Sequence, residues 1–159
     1  MKQRDRIKMT PKECWDFLDE GTRTGNTMFL ATNGKDGFPH LVSMGYALKD
    51  GAVIFATYRK SQKVVNLRRD PRAAIILEAM GTNEYSEKQG VMARGHCEII
   101  DDGGVEALKM LHEQAERLSG VRSPRSDYME ERGHKRVMLK FIPEKWASWD
   151  HRKLPPGTY

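Results

Sequence analysis

The sequence predicts a mainly β fold of the α+β class: six or so antiparallel strands closing into a barrel, with helices at the periphery. Two observations carry this. Short runs rich in β-branched and aromatic residues, such as "TMFLATN" (27–33) and "AVIFATY" (52–58), alternate with tight Gly-containing turns. The apolar period switches to helical spacing in only a few segments, each bounded by capping or breaking residues. Closure into a barrel removes the edges that an open sheet of this size would expose.

The elements follow in order. Thr10-Pro11-Lys12-Glu13 opens a helix: Thr10 caps it, Pro11 suits the first helical position, and Glu13 completes a capping box. Cys14, Trp15, Phe17 and Leu18 form its apolar face, and Gly21 is expected to stop it. "TMFLATN" is the first strand. "GKDG" (34–37) is a hairpin turn, and "FPHLVSMGYAL" (38–48) is the second strand, with His40, Val42, Met44 and Tyr46 on one face. "KDG" (49–51) turns into the third strand, 52–58. A helix runs from Ser61 to Asp70-Pro71, with Val64, Val65 and Leu67 apolar.

"RAAIILEA" (72–79) is the fourth strand, and a loop with Asn83 and Tyr85 leads to a long fifth strand, "QGVMARGHCEII" (89–100), where Gly95 marks a bulge. "DDGG" (101–104) breaks the sheet, and Val105, Leu108, Leu111, Ala115 and Leu118 recur at helical spacing. After a loop at 119–127 and a short helical turn at 128–132, residues 135–149 form the last strand pair or one strand bent at Pro143. The polar tail is expected to lie on the surface. The 159 residues fit a single domain, with no repeat or linker.

Composition narrows the function classes. The chain is 38% hydrophobic and 31% charged, an ordinary composition for a folded protein. Net charge is +5, 27 basic against 22 acidic residues, which permits anionic ligands without requiring nucleic acid. Nucleic-acid binding is further disfavoured because interleaved aromatics and a reading motif are both missing. Cys14 and Cys97 lie far apart, so neither a zinc ribbon nor a CxxC redox site is predicted. The charged start "MKQRDRIKM" does not read as a signal peptide, and no run approaches the ~20 apolar residues of a membrane helix. A cytoplasmic protein with free thiols and no membrane association is expected.

The stretch "TYRKSQKVVNLRRDPR" (57–72) carries the chemistry. A strand delivers the chain to Thr57 and a helix begins at Ser61. The first N–H groups of a helix are unpaired and bear partial positive charge, so such a terminus takes phosphate. Ser61 adds a hydroxyl. Lys63 adds a formal charge in the first turn, where a helix favours an acid. Arg59 and Lys60 raise the potential. A phosphate cradle and a solvated basic helix face both fit this pattern. Arg68, Arg69 and Arg72 sit at the helix C-terminal end, where cations complement the dipole.

"FATYRKSQK" (55–63) followed by "NLRRDPRAAIIL" (66–77) resembles the pyridoxamine 5′-phosphate oxidase-like split β-barrel flavoproteins, in their flavin/deazaflavin oxidoreductase branch. "DGFPHLVSMGY", "GVMARGHCEI" and "SWDHRKL" support the match in order, over roughly residues 10–154. The resemblance implies a homodimer of six-stranded split barrels, with FMN or the deazaflavin coenzyme F-420 in a groove between subunits. It places Ser61 and Lys63 on the cofactor phosphate with Arg59 near it, and Thr57 and Tyr58 on the phosphate or ribityl chain. Val42 and Met44 would flank the ring. Gln89 would reach the ring edge from the partner, and Trp149 would stand beside the cofactor. His40, His151 and Arg152 are candidates to orient a small substrate. His40 also reads as an ordinary strand histidine, Met44 as core, and Trp146 and Trp149 as barrel closure.

The oxidases' C-terminal Arg-Leu-His motif is missing from "WASWDHRKLPP", so pyridoxamine phosphate oxidation is not expected. The expected activity is hydride transfer between bound cofactor and a small organic substrate, with the ring doing the redox chemistry and no essential acid–base side chain. The alternative is a non-catalytic flavin, deazaflavin or haem binding protein.

Overall fold

The computed structural model describes residues 2–23, 27–79, 84–120, 122 and 126–158. Five helices and seven strands follow one another as α1 (Gln3–Arg6), α2 (Pro11–Arg23), β1 (Met28–Asn33), β2 (Pro39–Met44), β3 (Ala47–Lys49), β4 (Ala52–Tyr58), α3 (Gln62–Arg69), β5 (Arg72–Glu78), β6 (Gln89–Ile100), α4 (Gly104–Ser119), α5 (Ser126–Gly133) and β7 (Arg136–Asp150). The strands form one antiparallel sheet in the order β2-β1-β5-β6-β7-β4-β3, curled into a half-barrel. Short 3₁₀ turns at Tyr85–Glu87 and His151–Lys153 complete the chain. The expected Asn83 loop position lies outside the described residues.

The sheet has seven strands where six were expected, because the second predicted strand divides. β2 ends at Met44, and the chain re-enters the sheet on β4 as the three-residue β3. Tyr46, between them, is buried, and its hydroxyl donates to the Leu18 carbonyl at 2.6 Å. It therefore leaves the face that His40, Val42 and Met44 share. Residues 136–150 are one bent strand. Gly95 on β6 faces Pro143 on β7 at a register shift, so the predicted bulge and the predicted bend are a single feature. A Cβ at Gly95 would run into the Ile142 carbonyl oxygen.

Two further expectations are corrected. Gly21 does not end α2, which continues to Arg23. Gly21 is there for packing: a side chain would collide with Leu77 and the Tyr46 hydroxyl. The tail is not wholly superficial either, since Leu154 is buried. The capping box forms as read: Thr10 N–H donates to Glu13 Oε2 at 2.6 Å, and Glu13 N–H donates to Thr10 Oγ1 at 3.2 Å.

Alternation in the strands builds the core. Met28, Leu30, Ile75, Leu77, Val91, Val53, Phe55, Leu139 and Phe141 point inward, and Cys14 and Leu18 of α2 close one end. Each fully buried large side chain contributes about 1.5–3 kcal/mol. The opposite face of β2-β1-β5-β6-β7 carries Phe29, Leu41, Ile76, Met92 and Ala147, with Phe29 and Leu41 exposed. Among the described residues no helix is long and apolar enough to cross a membrane.

Candidate functional site

The curl leaves β2 at one edge of the sheet and β3 at the other, with β4 beside it. Helix α3 packs against β1 and β6. β4 ends at Tyr58, a turn closes through Ser61 N–H to the Tyr58 carbonyl at 3.0 Å, and α3 starts at Gln62. Val64 and Leu67 bury one side of the helix. Asn66, fully buried, donates to Thr32 Oγ1 at 3.0 Å and accepts from Gln62 Nε2 at 2.9 Å. Thr32 lies on β1 opposite His40 of β2, so this network ties α3 to β1. No periodic pattern marks it. The only available hint was a polar residue between the two apolar positions Val64 and Leu67.

Ser61 occupies the N-cap position, yet its hydroxyl does not cap the helix. Its carbonyl accepts from Val64 N–H at 3.0 Å and Val65 N–H at 3.1 Å. The hydroxyl instead sits 3.3 Å from Thr57 Oγ1. Lys63 Nζ donates to the same Thr57 oxygen at 3.0 Å. Three groups read separately from the sequence thus converge where the free N–H groups of α3 emerge. Lys63 has no carboxylate partner among the described residues. Burial pushes its pKa below the ordinary lysine value, since desolvation disfavours the charge. A half-buried ammonium with only a neutral hydroxyl as partner fits a site shaped for an anion.

Arg59 and Tyr58 are differently engaged. Arg59 is held by the Asp101 carboxylate at 3.0 Å and by the Asp101 carbonyl at 2.9 Å. Arg68 shares that carboxylate at 2.5 Å. Tyr58 is exposed and carries the Arg136 guanidinium 4.2 Å above its ring. On β2, His40, Val42 and Met44 are half-buried, and Met44 also packs against the core. His40 Nδ1 is buried without a hydrogen-bond partner among the described residues, which is unusual for a buried polar atom. His40, Gln62 and Asn66 line one depression.

Gln89, Trp149, His151 and Arg152 form a second cluster. Thr57 pairs with Val137 at the start of β7, whereas Trp149 and Asp150 end that strand. Asp150, almost fully buried, accepts from Gln89 Nε2 at 3.0 Å and from Arg152 Nε and an Arg152 terminal nitrogen, each at 3.0 Å. Burial raises the Asp150 pKa, but the Arg152 and Gln89 hydrogen bonds outweigh it and hold the carboxyl below its ordinary value. His151 meets the Tyr85 ring edge-on. The Trp149 indole covers Gly90, while Trp146 packs edge-on against Trp15, its ring centre 5.3 Å away. One chain therefore does not bring this cluster to the Thr57–Ser61–Lys63 cradle.

The pyridoxamine 5′-phosphate oxidase family model matches residues 11–150. The chain belongs to that family. The conserved hypothetical protein Rv2991 from Mycobacterium tuberculosis is 34% identical, with a TM-score of 0.78, covering 100% of this chain and 97% of that one. An F-420 reductase is 23% identical with a TM-score of 0.56, covering 76% of this chain and 88% of its own. The FAD and haem binding protein from Mycobacterium smegmatis is 16% identical with a TM-score of 0.67, covering 96% and 77%. These last two likenesses show the fold alone.

Proposed function

We propose that the protein is an oxidoreductase that binds FMN, or alternatively the deazaflavin coenzyme F-420, and reduces or oxidises a small organic substrate. The observation that carries the reading is Lys63, half-buried beside Ser61 and Thr57 at the start of α3, with no acid to neutralise it among the described residues. The residues fit a cofactor phosphate: two hydroxyls, one ammonium and the first N–H groups of a helix. Val42 and Met44, on the inner face of edge strand β2, offer an apolar wall for a ring. A bound flavin or deazaflavin would supply the hydride chemistry.

The chain's own residues bind and orient. Lys63 and Ser61 fix the phosphate end. The unpartnered Nδ1 of His40 offers one hydrogen bond to a cofactor or substrate polar atom. Two features support a homodimer as part of this reading. The outer sheet face presents the apolar band Phe29, Ile76 and Met92. Gln89 at the start of β6 and Trp149 at the end of β7 lie away from the cradle, which supports a second copy supplying them to a cofactor on Lys63.

The test is titration of cofactor-stripped protein with FMN and with coenzyme F-420, read by tryptophan quenching. Tight binding of either supports the reading and chooses the cofactor. Tight binding with no turnover on any reductant or acceptor would make the protein a non-catalytic binder. Binding of neither returns the basic stretch to a solvated helix face.

A further inference from the structure

A second concavity lies away from the cradle. It is a groove of about 730 Å³ on the outer side of the sheet, floored by Ala31, Ala74 and Gly95. Ala31 and Ala74, paired across β1 and β5, keep the floor low, while Gly95 sits at the bulge against the Ile142 carbonyl. Its walls come from the β1–β2 turn, the start of β5 and the β6–β7 bulge.

Four cations line it: Lys35, Arg72, Arg94 and Lys145. Its two carboxylates are already engaged. Asp70 holds the Arg72 guanidinium at 2.8 and 2.9 Å and accepts from Asn33 Nδ2 at 2.9 Å. Glu144 is paired with His96 Nδ1 at 2.5 Å. Lys35, Arg94 and Lys145 have no carboxylate partner among the described residues. Elsewhere Arg59 and Arg68 are paired with Asp101, and Arg152 with Asp150. Three uncompensated cations from three separate elements therefore converge on one small-residue floor. Folding alone gains nothing from that convergence, since like charges repel. With four cations against two carboxylates the groove carries an excess of positive charge, and such a cleft concentrates anions.

We infer that this groove binds a small ligand carrying two or more carboxylate or phosphate groups, bridging Lys35 on one wall and Arg94 and Lys145 on the other. A single carboxylate reaches only one wall. A ligand with spaced anionic groups satisfies both while its carbon skeleton lies on the alanine floor. The site is separate from the cradle, whose Thr57, Ser61 and Lys63 do not line the groove.

The experiment is calorimetric titration of the full-length protein with sodium tripolyphosphate and, separately, with tetraglutamate. It is repeated for Arg94→Ala/Lys145→Ala, for Lys35→Ala, and for Lys12→Ala on the distant helix α2. Saturable binding of either probe, weakened about tenfold or more by the groove variants and unchanged in Lys12→Ala, supports the site. The preferred probe distinguishes a phosphate ligand from a carboxylate one. No saturable binding overturns the inference, as does an equal loss in Lys12→Ala, which would mean that affinity merely tracks net charge. Retained binding in the groove variants with loss in Ser61→Ala/Lys63→Ala overturns it too, and moves the anion to the cradle. Circular dichroism of each variant confirms folding, and Lys35→Ala, on an exposed turn, tests the site without touching the sheet.

Discussion

Lys63 Nζ donates to Thr57 Oγ1 at 3.0 Å, and Ser61 Oγ lies 3.3 Å from that same oxygen. The contact joins the end of β4 to the first turn of α3. Burial depresses the lysine, so the ammonium is held at a cost to the fold. Removing it should therefore leave stability nearly unchanged or slightly raised. Cofactor affinity should fall, because two donors to a phosphate are lost. Ser61→Ala/Lys63→Ala is expected to weaken FMN or F-420 binding by at least about a hundredfold, with each charge-assisted bond worth about 1.5–3 kcal/mol. Fluorescence titration and a melting curve on the same sample check both halves. Unchanged affinity would sink the cradle.

The same lysine gives a pH dependence with a definite sign. Its pKa in the folded protein lies below the ordinary value of 10.5. Above about pH 7 a phosphate monoester is already largely dianionic, since its second pKa is about 6. Cofactor affinity should then be full below the Lys63 pKa and fall as pH rises through it. Stability moves the other way. The unfolded chain holds more protons than the folded one in that window, so this group's contribution to stability rises with pH. Lys63→Arg, which keeps its charge, should flatten the affinity curve. An unflattened curve in that variant would assign the pH dependence to another group.

The strands were legible because alternation and turn chemistry are local. Lys35-Asp36-Gly37 and Asp50-Gly51 fixed two hairpins, and Gly95 and Pro143 marked a distortion whose unity only the register reveals. The break at Gly45, which made seven strands from six, was hidden because a lone glycine without a flanking turn residue does not mark a break within residues 38–48. The cradle was legible as residue types but not as geometry. Nothing in "TYRKSQK" says that Ser61 would release its hydroxyl from capping, or that Arg59 would turn to an aspartate 42 positions away. Long-range partners such as Asp101 and Thr32 leave no periodic trace. Gly21 looked like a helix stop because a missing side chain reads the same whether conformation or packing demands it.

Gly90 and Trp149 are cross-strand partners, and a Cβ at Gly90 would fall within the indole. Gly90→Ala should displace the ring or spread the strands, costing about 1–3 kcal/mol by overpacking. Melting temperature should drop and tryptophan emission should shift to the red. Gly90→Ala/Trp149→Ala should recover most of the loss relative to Trp149→Ala alone, since the clash then has no second partner. Additive losses in that cycle would mean that the glycine serves backbone conformation instead of the ring.

Glu13 joins both ends of the chain. Its carboxylate accepts from Lys153 Nζ at 2.9 Å and from Thr10 N–H at 2.6 Å, and Lys153 also donates to the Lys8 carbonyl at 2.8 Å. The Lys153 hydrogen bond, followed by those from Thr10, pulls the Glu13 pKa from 4.5 to about 2. A folded-state pKa below the unfolded value gives stability that is present above pH 4.5 and lost as pH falls toward about 2. The pair is solvent-exposed, so the effect is modest and screened. Other carboxylates titrate in the same range, so the quantity to measure is the difference in unfolding free energy between wild type and Glu13→Gln. That difference should be constant above pH 4.5 and shrink toward about pH 2. Roughly 1 M salt should reduce the Lys153 part and spare the capping part, because screening acts on the exposed ion pair. Curves that stay parallel down to low pH would show that Glu13 gains nothing from these bonds on folding. The His151–Lys153 turn would then owe its place to Asp150 and Leu154 alone.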